Sequence, residues 1–359
     1  MKMNKTFLTL GLAVGMFFNT ASAKEVSFEG KTIEWIIPFK AGGGSDKWSR
    51  FYAPYLSKSL PGNPIVVVKN MPGGGSTKGA NFFAKRAKNN GLTIFGTSGS
   101  TQFPYLLDDK RVRYDYNDWN VVLGTPTGGV VYVSSKLGIN GLDDIAKLKG
   151  TDLKYGSQGA TSLDLIPLLA FELLDLNVKP VFGMKGRKAG RLAFLRSETN
   201  IDYQTSSSYL KNVQPAVKDG KAVPLFSFGT LDAEGKLQRD PTFPDLPHFG
   251  EAYAKVHGKQ PSGEAFAAWK TFFTAGFPAQ KMVFLPKGTS SDVIETYQKA
   301  FERITKTPGF DEKSKLQLGV YTQATGKEAA KLKELATKVN MQDKMWMKNW
   351  LTTTYKVKF

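Results

Sequence analysis

Between residues 33 and 50 the chain turns from a strand, through three consecutive glycines, into a helix, and few arrangements can house that transition. Ile33, Trp35, Ile37 and Phe39 alternate as a strand requires, with Ile36 filling the opposite face. Gly42, Gly43 and Gly44 lack a Cβ, so they can take positive φ and let their N–H groups converge on one point. The next helix adds its own unpaired N–H groups and the positive end of its dipole, with Ser45 expected as N-cap and Asp46 in the first turn. Trp48, Phe51, Tyr52, Tyr55 and Leu56 supply its apolar stripe. A turn of this kind cradles a carboxylate or a phosphate. Plain strand-to-helix turns use glycine too, so the remaining chain has to support the reading.

The design recurs. Residues 65–68 form an unbroken apolar run, the pattern of a strand buried on both faces, and Asn70, Pro72, Gly73, Gly74 and Gly75 then lead towards a helix expected over 79–88. The stretch GGGSTKG lacks the G-x-x-x-x-G-K-[ST] spacing of a phosphate loop. A third strand over 91–96 ends in Thr97, Ser98, Gly99 and Ser100, small hydroxyls at the strand end where open α/β sheets bind ligands. Ser100 breaks the G-x-S-x-G pattern of a nucleophile elbow, and His248 and His257 lie in a polar, proline-rich region unsuited to a catalytic base. Two short apolar strands, 119–123 and 130–133, flank a glycine-rich joint that suits a hinge between domains. Residues 153–155 then open a second cradle, Ser157, Gly159, Ala160, Thr161 and Ser162, before a helix with Leu163, Ile166, Leu169 and Leu173 on one face. Asp164 at that helix start cancels part of the dipole. Lys185 and Arg187 stand near the expected cleft edge, and Asp202 and Gln204 sit at another strand end. Helices are expected near 291–305, 327–340 and 341–350, the last with a Met341, Met345, Trp346 and Trp350 stripe for core packing.

A chain of 359 residues, 41% hydrophobic, can bury two cores. Its first residues carry Lys2 and Lys5, an apolar run over 7–18 and then Ala21, Ser22 and Ala23, which reads as a secretory leader cleaved after Ala23 from an exported protein. No later segment reaches ~18 uninterrupted apolar residues, so no membrane span is expected after cleavage. The absence of cysteine excludes disulfides, thiolate metal sites and cysteine nucleophiles. A formal charge of +18 is spread along the chain without the aromatic and basic motifs of a nucleic-acid module, so no nucleic-acid partner is expected; such a field favours capture of small anions.

Pro38, Phe39, Gly42, Gly43, Asp46 and Arg50 reproduce a P-F-x-x-G-G-x-x-D pattern with an arginine four residues on. This resembles the opening of the TctC/Bug family, the periplasmic solute receptors of tripartite tricarboxylate transporters. Asn70, Pro72, Gly73, Gly75 and Gly79 follow most of the family's N-x-P-G-A-G-G-x-x-G turn. Asn90 and Leu92 depart from its D-G-Y-T-L strand, and Asp164 or a neighbour stands where the family has a histidine. The resemblance spans nearly all of the chain beyond the leader. It implies a type II periplasmic binding fold: two α/β lobes joined by two crossing segments around a ligand cleft. Lobe I is then assigned to 24–124 plus 269–359, and lobe II to 125–268, with the return crossing near Trp269. On this view Phe39, Lys40, Ala41, Gly42, Gly43, Gly44 and Ser45, with Thr97, Ser98, Gly99 and Ser100, hold one carboxylate. Ser157, Gly159, Ala160, Thr161, Ser162, Lys185, Asp202 and Gln204 take the rest of the ligand, while Asp46 braces its loop or accepts from a ligand donor. The implied partners are a small carboxylate and the membrane permease subunits of such a transporter, with no cofactor, metal or catalytic residue. The alternatives are a ligand-loaded sensory partner of a receptor kinase and an enzyme on the same scaffold.

Overall fold

The computed structural model describes residues 25–232 and 234–359. The expected leader and its cleavage after Ala23 lie outside these residues. Strands β1 (Thr32–Ile37), β2 (Ile65–Asn70), β3 (Thr93–Gly96) and β4 (Asn120–Thr125) begin one sheet. The chain then builds a second from β5 (Gly129–Ser134), β6 (Leu153–Gly156), β7 (Val178–Val181), β8 (Ile201–Thr205) and β9 (Ala222–Ser227). A small hairpin, β10 (Thr230–Leu231) and β11 (Leu237–Gln238), precedes the return of β12 (Lys281–Leu285) to the first sheet. The two orders are β2-β1-β3-β12-β4 and β7-β6-β8-β5-β9. In each, one strand next to the edge runs against its neighbours: β12 is antiparallel to β3 and β4, and β5 to β8 and β9. Two α/β lobes of one design result.

Helices α1 (Gly44–Ser59), α2 (Thr77–Arg86) and α3 (Gly99–Leu106) follow β1, β2 and β3. The second lobe carries α4 (Leu165–Leu173), α5 (Arg187–Leu195), α6 (Ser206–Asn212) and α7 (Gln214–Lys218). Helices α8 (Phe249–His257) and α9 (Glu264–Gly276) lead back to β12, and α10 (Ser291–Thr305), α11 (Phe310–Leu318), α12 (Gly326–Thr337) and α13 (Met341–Tyr355) complete the chain. Ile33, Trp35 and Ile37 face Trp48, Tyr52 and Leu56 of α1, whereas Ile36 faces Phe83 and Phe95 on the other side, as the alternation in β1 requires. The second sheet buries Val131, Val133, Tyr155 and Tyr203 against α4, α9 and α13.

The lobes meet at two crossings. Residues 126–128 carry β4 into β5, and the chain re-enters the first sheet at Lys281, after α9. The crossings are tied where the Thr127 N–H donates to the Phe277 carbonyl at 3.0 Å.

Two local expectations change. The apolar run in β2 is an edge strand, not one covered on both faces: α1 packs on one side, while Ile65 and Val67 remain 65% and 45% exposed. On α13, Met341 and Met345 face solvent, and the buried residues are Met347, Trp350 and Leu351, because the helix is turned towards α9. Helix α3 starts at the hydroxyl-rich end of β3, with the Ser98 side chain accepting from the Ser100 N–H.

Trp269 anchors the second core. Its ring lies 4.3 Å from Phe249 and 4.9 Å from Phe273, and its Nε1–H donates to the Ile166 carbonyl at 3.2 Å. Trp269→Ala is expected to destabilise the protein by about 3–5 kcal/mol, read as a lower denaturant midpoint.

Candidate functional site

The loop after β1 is held from behind by one carboxylate. Asp46 Oδ2 accepts the Gly42 N–H at 2.7 Å, while its Oδ1 accepts from Arg50 Nε and Asn70 Nδ2, both at 2.9 Å. Asn70 also donates to the Phe39 carbonyl at 3.0 Å. Gly42 has φ +78, the left-handed region that glycine enters without strain. Gly43, not Ser45, is the N-cap of α1; its φ of −80 and ψ of 174 are extended, and Ser45 lies inside the first turn. The cap lies two residues before Ser45, and Asp46, in the first turn, reaches back to accept the Gly42 N–H just ahead of it. The first-turn N–H groups of α1 then have no intrahelical acceptor and open on a cleft lined by Gly43, Gly44 and Ser45.

That cleft has a volume of about 390 Å³ and takes residues from both lobes. Ser98 and Ser100 line it from the end of β3. Both hydroxyls already act as acceptors, Ser98 from Ser100 N–H and Ser100 from the Leu163 N–H at 3.2 Å, so each keeps its own proton for an acceptor in the cavity. The opposite wall is the start of α5. Lys188 reaches across to the first loop, its Nζ 3.1 Å from where a Gly42 Cβ would lie.

Six cationic side chains line the cavity: Lys40, Lys185, Arg187, Lys188, Arg191 and Lys281. Among the described residues no carboxylate joins them there. Arg187 is the one whose charge is spent. Its guanidinium meets Asp164 at 3.2 Å, meets Asp202, donates to the Gly156 and Tyr203 carbonyls and lies over the Tyr155 and Tyr203 rings. Burial pushes the Asp202 carboxyl above its ordinary range, against the pull of Arg187. Arg191 instead donates to Ser208 Oγ at 2.9 Å, and burial lowers its affinity for its proton. The surrounding field is positive: Lys47 is held below its usual value by burial first, then by Lys211, Arg191 and Lys188.

No family model matches the chain. The UPF0065 protein in the tcbD-tcbE intergenic region of Pseudomonas sp. (strain P51) is 22% identical over 348 residues, 94% of this chain and 91% of that one. The periplasmic binding protein BugD has the same fold, with a TM-score of 0.67 and 19% identity over 91% of this chain and 98% of its own. The chain is thus similar in fold to solute-binding proteins of the Bug and TctC kind. MatC from Rhodopseudomonas palustris, a structure with bound malate, shares the fold at a TM-score of 0.66 and 19% identity, over 90% of this chain and 99% of that one.

Among the residues expected from sequence, Phe39, Lys40, Ala41, Gly43, Gly44, Ser45, Ser98, Ser100, Lys185 and Gln204 line the cleft. The other expected residues do not line it. Gly42 and Asp46 bond to each other, Thr97 pairs with the Met282 carbonyl, and Gly99 packs under Leu163. Ser157 donates to Asp164 and Ser162 to the Gly159 carbonyl, Thr161 meets Arg111, and Ala160 is buried; from that loop only Gln158 reaches the cavity. Asp202 is fully buried behind Gln204, which donates to it at 3.0 Å. Asp164, expected to weaken the second cradle, instead accepts from the Gln158 N–H at 2.6 Å and neutralises Arg187. Lys188, Arg191, Ser208 and Lys281 also line the cleft without having been singled out in the sequence. For Lys188 and Arg191 a signal exists, since they recur at helical spacing from the expected cleft residue Lys185.

Replacing Arg187 by leucine leaves two buried carboxylates without a counter-ion. Arg187→Leu is expected to cost about 3–5 kcal/mol at neutral pH. Burial already holds the folded-state Asp202 carboxyl above its unfolded value, and without the guanidinium it rises further, so stability is retained below the unfolded value and lost as pH rises through the folded one. The deficit against wild type should therefore shrink towards about pH 4, as urea titrations across pH would show.

Proposed function

We propose that the protein is a periplasmic solute receptor that closes its two lobes on a small organic carboxylate and presents it to the permease of a tripartite tricarboxylate-type transporter. The observation that carries this reading is the cleft itself: five cationic side chains beyond the neutralised Arg187, a helix N terminus and two serine hydroxyls converge there with no lining carboxylate among the described residues. Malate bound in MatC, which shares the fold, is consistent with that chemistry.

The cleft also continues. A second space of about 440 Å³ shares Phe39, Lys40, Gln158, Lys185 and Gly186 with the first and adds Pro38, Pro72, Met184 and the glycines of the second turn. A ligand with a charged group in the first space can place an uncharged portion in the second. Binding without chemistry fits the lining, which contains no histidine: His248 caps α8 and His257 pairs with the Leu173 carbonyl. Among the described residues no helix is long and apolar enough to cross a membrane.

Thermal-shift scans against mono-, di- and tricarboxylic acids, amino acids and sugars test the proposal. A ligand at about 100 times its Kd stabilises the native state by about 2.7 kcal/mol, so one class of acid should raise Tm. Gly43→Val should remove the shift while leaving the unliganded protein folded, because Gly43 has ordinary φ and the nearest atom to an added Cβ is the Lys40 carbonyl oxygen at 3.4 Å. A protein stripped of carried-over ligand that responds to sugars but to no acid would refute the carboxylate assignment.

A further inference from the structure

Lys281 is the first residue of β12, the strand that runs against its neighbours. Antiparallel entry puts the start of β12 level with the carboxyl ends of β3 and β4, the edge that faces the cleft. Lys281 pairs with Thr125, the last residue of β4, and the Thr97 N–H just beyond β3 donates to the Met282 carbonyl at 2.9 Å. The lysine is 3% exposed, yet it lines the cavity beside Ser98, Ser100 and the glycines of the first loop.

Among the described residues no carboxylate pairs with it. Its ammonium meets only the side-chain oxygen of its neighbour Gln280, an uncharged acceptor. The groups around it offer no other compensation. Thr97 and Ser98 follow β3, and Thr125 ends β4; all are uncharged. Across the cavity Lys40, Lys185, Arg187, Lys188 and Arg191 are cationic. The nearby carboxylates are committed elsewhere: Asp46 to its loop, Asp164 and Asp202 to Arg187. A buried ammonium facing an open cavity without a counter-charge is costly in the empty protein. The missing anion has to come from what fills the cavity.

We propose that Lys281 is the buried counter-charge for the ligand's carboxylate, an anchor for the bound anion at the floor of the cleft. This rests on the carboxylate-receptor reading and adds a residue and a pH dependence to it. Burial pulls the Lys281 ammonium down to about 7 in the unliganded protein. Its folded value is thus depressed below the unfolded one, and the cost of burying the charge is fully present below about pH 7 and fades as pH rises. A bound carboxylate reverses the balance and raises the value again. Binding above about pH 7 therefore takes up a proton, and affinity falls as pH rises beyond that point.

Calorimetry on the wild-type protein, in two buffers of different ionisation heat, measures that proton directly. The probe is the acid giving the largest thermal shift among malate, adipate, citrate, glutamate and benzoate. Uptake should be near zero at about pH 6 and approach one proton per ligand at about pH 8.5. Lys281→Met should bind the same acid about 10- to 100-fold more weakly, lose the pH dependence, and show a higher Tm than wild type without ligand at about pH 6. Unchanged affinity in Lys281→Met, or binding by the wild type without proton uptake at the higher pH, overturns the assignment of Lys281 while leaving the receptor reading intact. The wild-type measurement decides even if the variant fails to fold. If none of the five acids binds the wild type, the receptor reading falls and the role of Lys281 with it.

Discussion

The cleft depends on what one carboxylate does behind it. Asp46 draws the Gly42 N–H, the Arg50 guanidinium and the Asn70 amide to a single point, and Asn70 extends the grip to the Phe39 carbonyl. With those groups satisfied internally, the first turn of α1 presents its N–H groups outwards, where the helix dipole favours an anion. An acidic residue one turn from an anion site would ordinarily repel the ligand. Here its side chain is 4% exposed and its charge is shared with Arg50, so it shapes the site while adding little repulsion to it.

The second lobe uses the same device with the signs exchanged. Arg187 sits at the start of α5, faces the cleft, and is clamped by Asp164 and Asp202 beneath the Tyr155 and Tyr203 rings. Such a cluster is costly to desolvate and is held together by its complementary charges. It orders the wall through Gln204 and Ser208 to Arg191, each joined to the next by a hydrogen bond. The charges left uncommitted at the cavity surface are those of lysines and of Arg191. Neutralised and cavity-facing cations are therefore interleaved along one short helix.

The strand, glycine and helix sequence at residues 33–50 was legible from residues alone, as were both hydroxyl-rich strand ends, because local backbone freedom and side-chain period determine them. Errors arose where the answer depended on a distant neighbour. The apolar run in β2 reads as doubly buried, yet it lies at a sheet edge, and edge position is a property of strand order. The methionines chosen on α13 face solvent because α9 determines which face of that helix is covered. Ser157, Thr161 and Ser162 have the composition of a ligand loop, but their hydroxyls close on Asp164, Arg111 and Gly159.

The two-lobed class was implied by the resemblance to the TctC/Bug family; by itself, the sequence determined the alternation of strands and helices, the glycine-rich turn and a surplus of positive charge suited to small anions. Those properties follow from backbone sterics, periodicity and composition, which act over a few residues or over the whole chain at once. Only the tertiary structure decided which charges remain free. Arg187 and Lys281 are both basic residues in the sequence; one is neutralised by carboxylates 23 and 15 residues away, while the other is carried by an antiparallel strand into the floor of the cleft without one. Charge compensation is set by distances of a few ångströms between residues far apart in the chain, and folding alone brings them there.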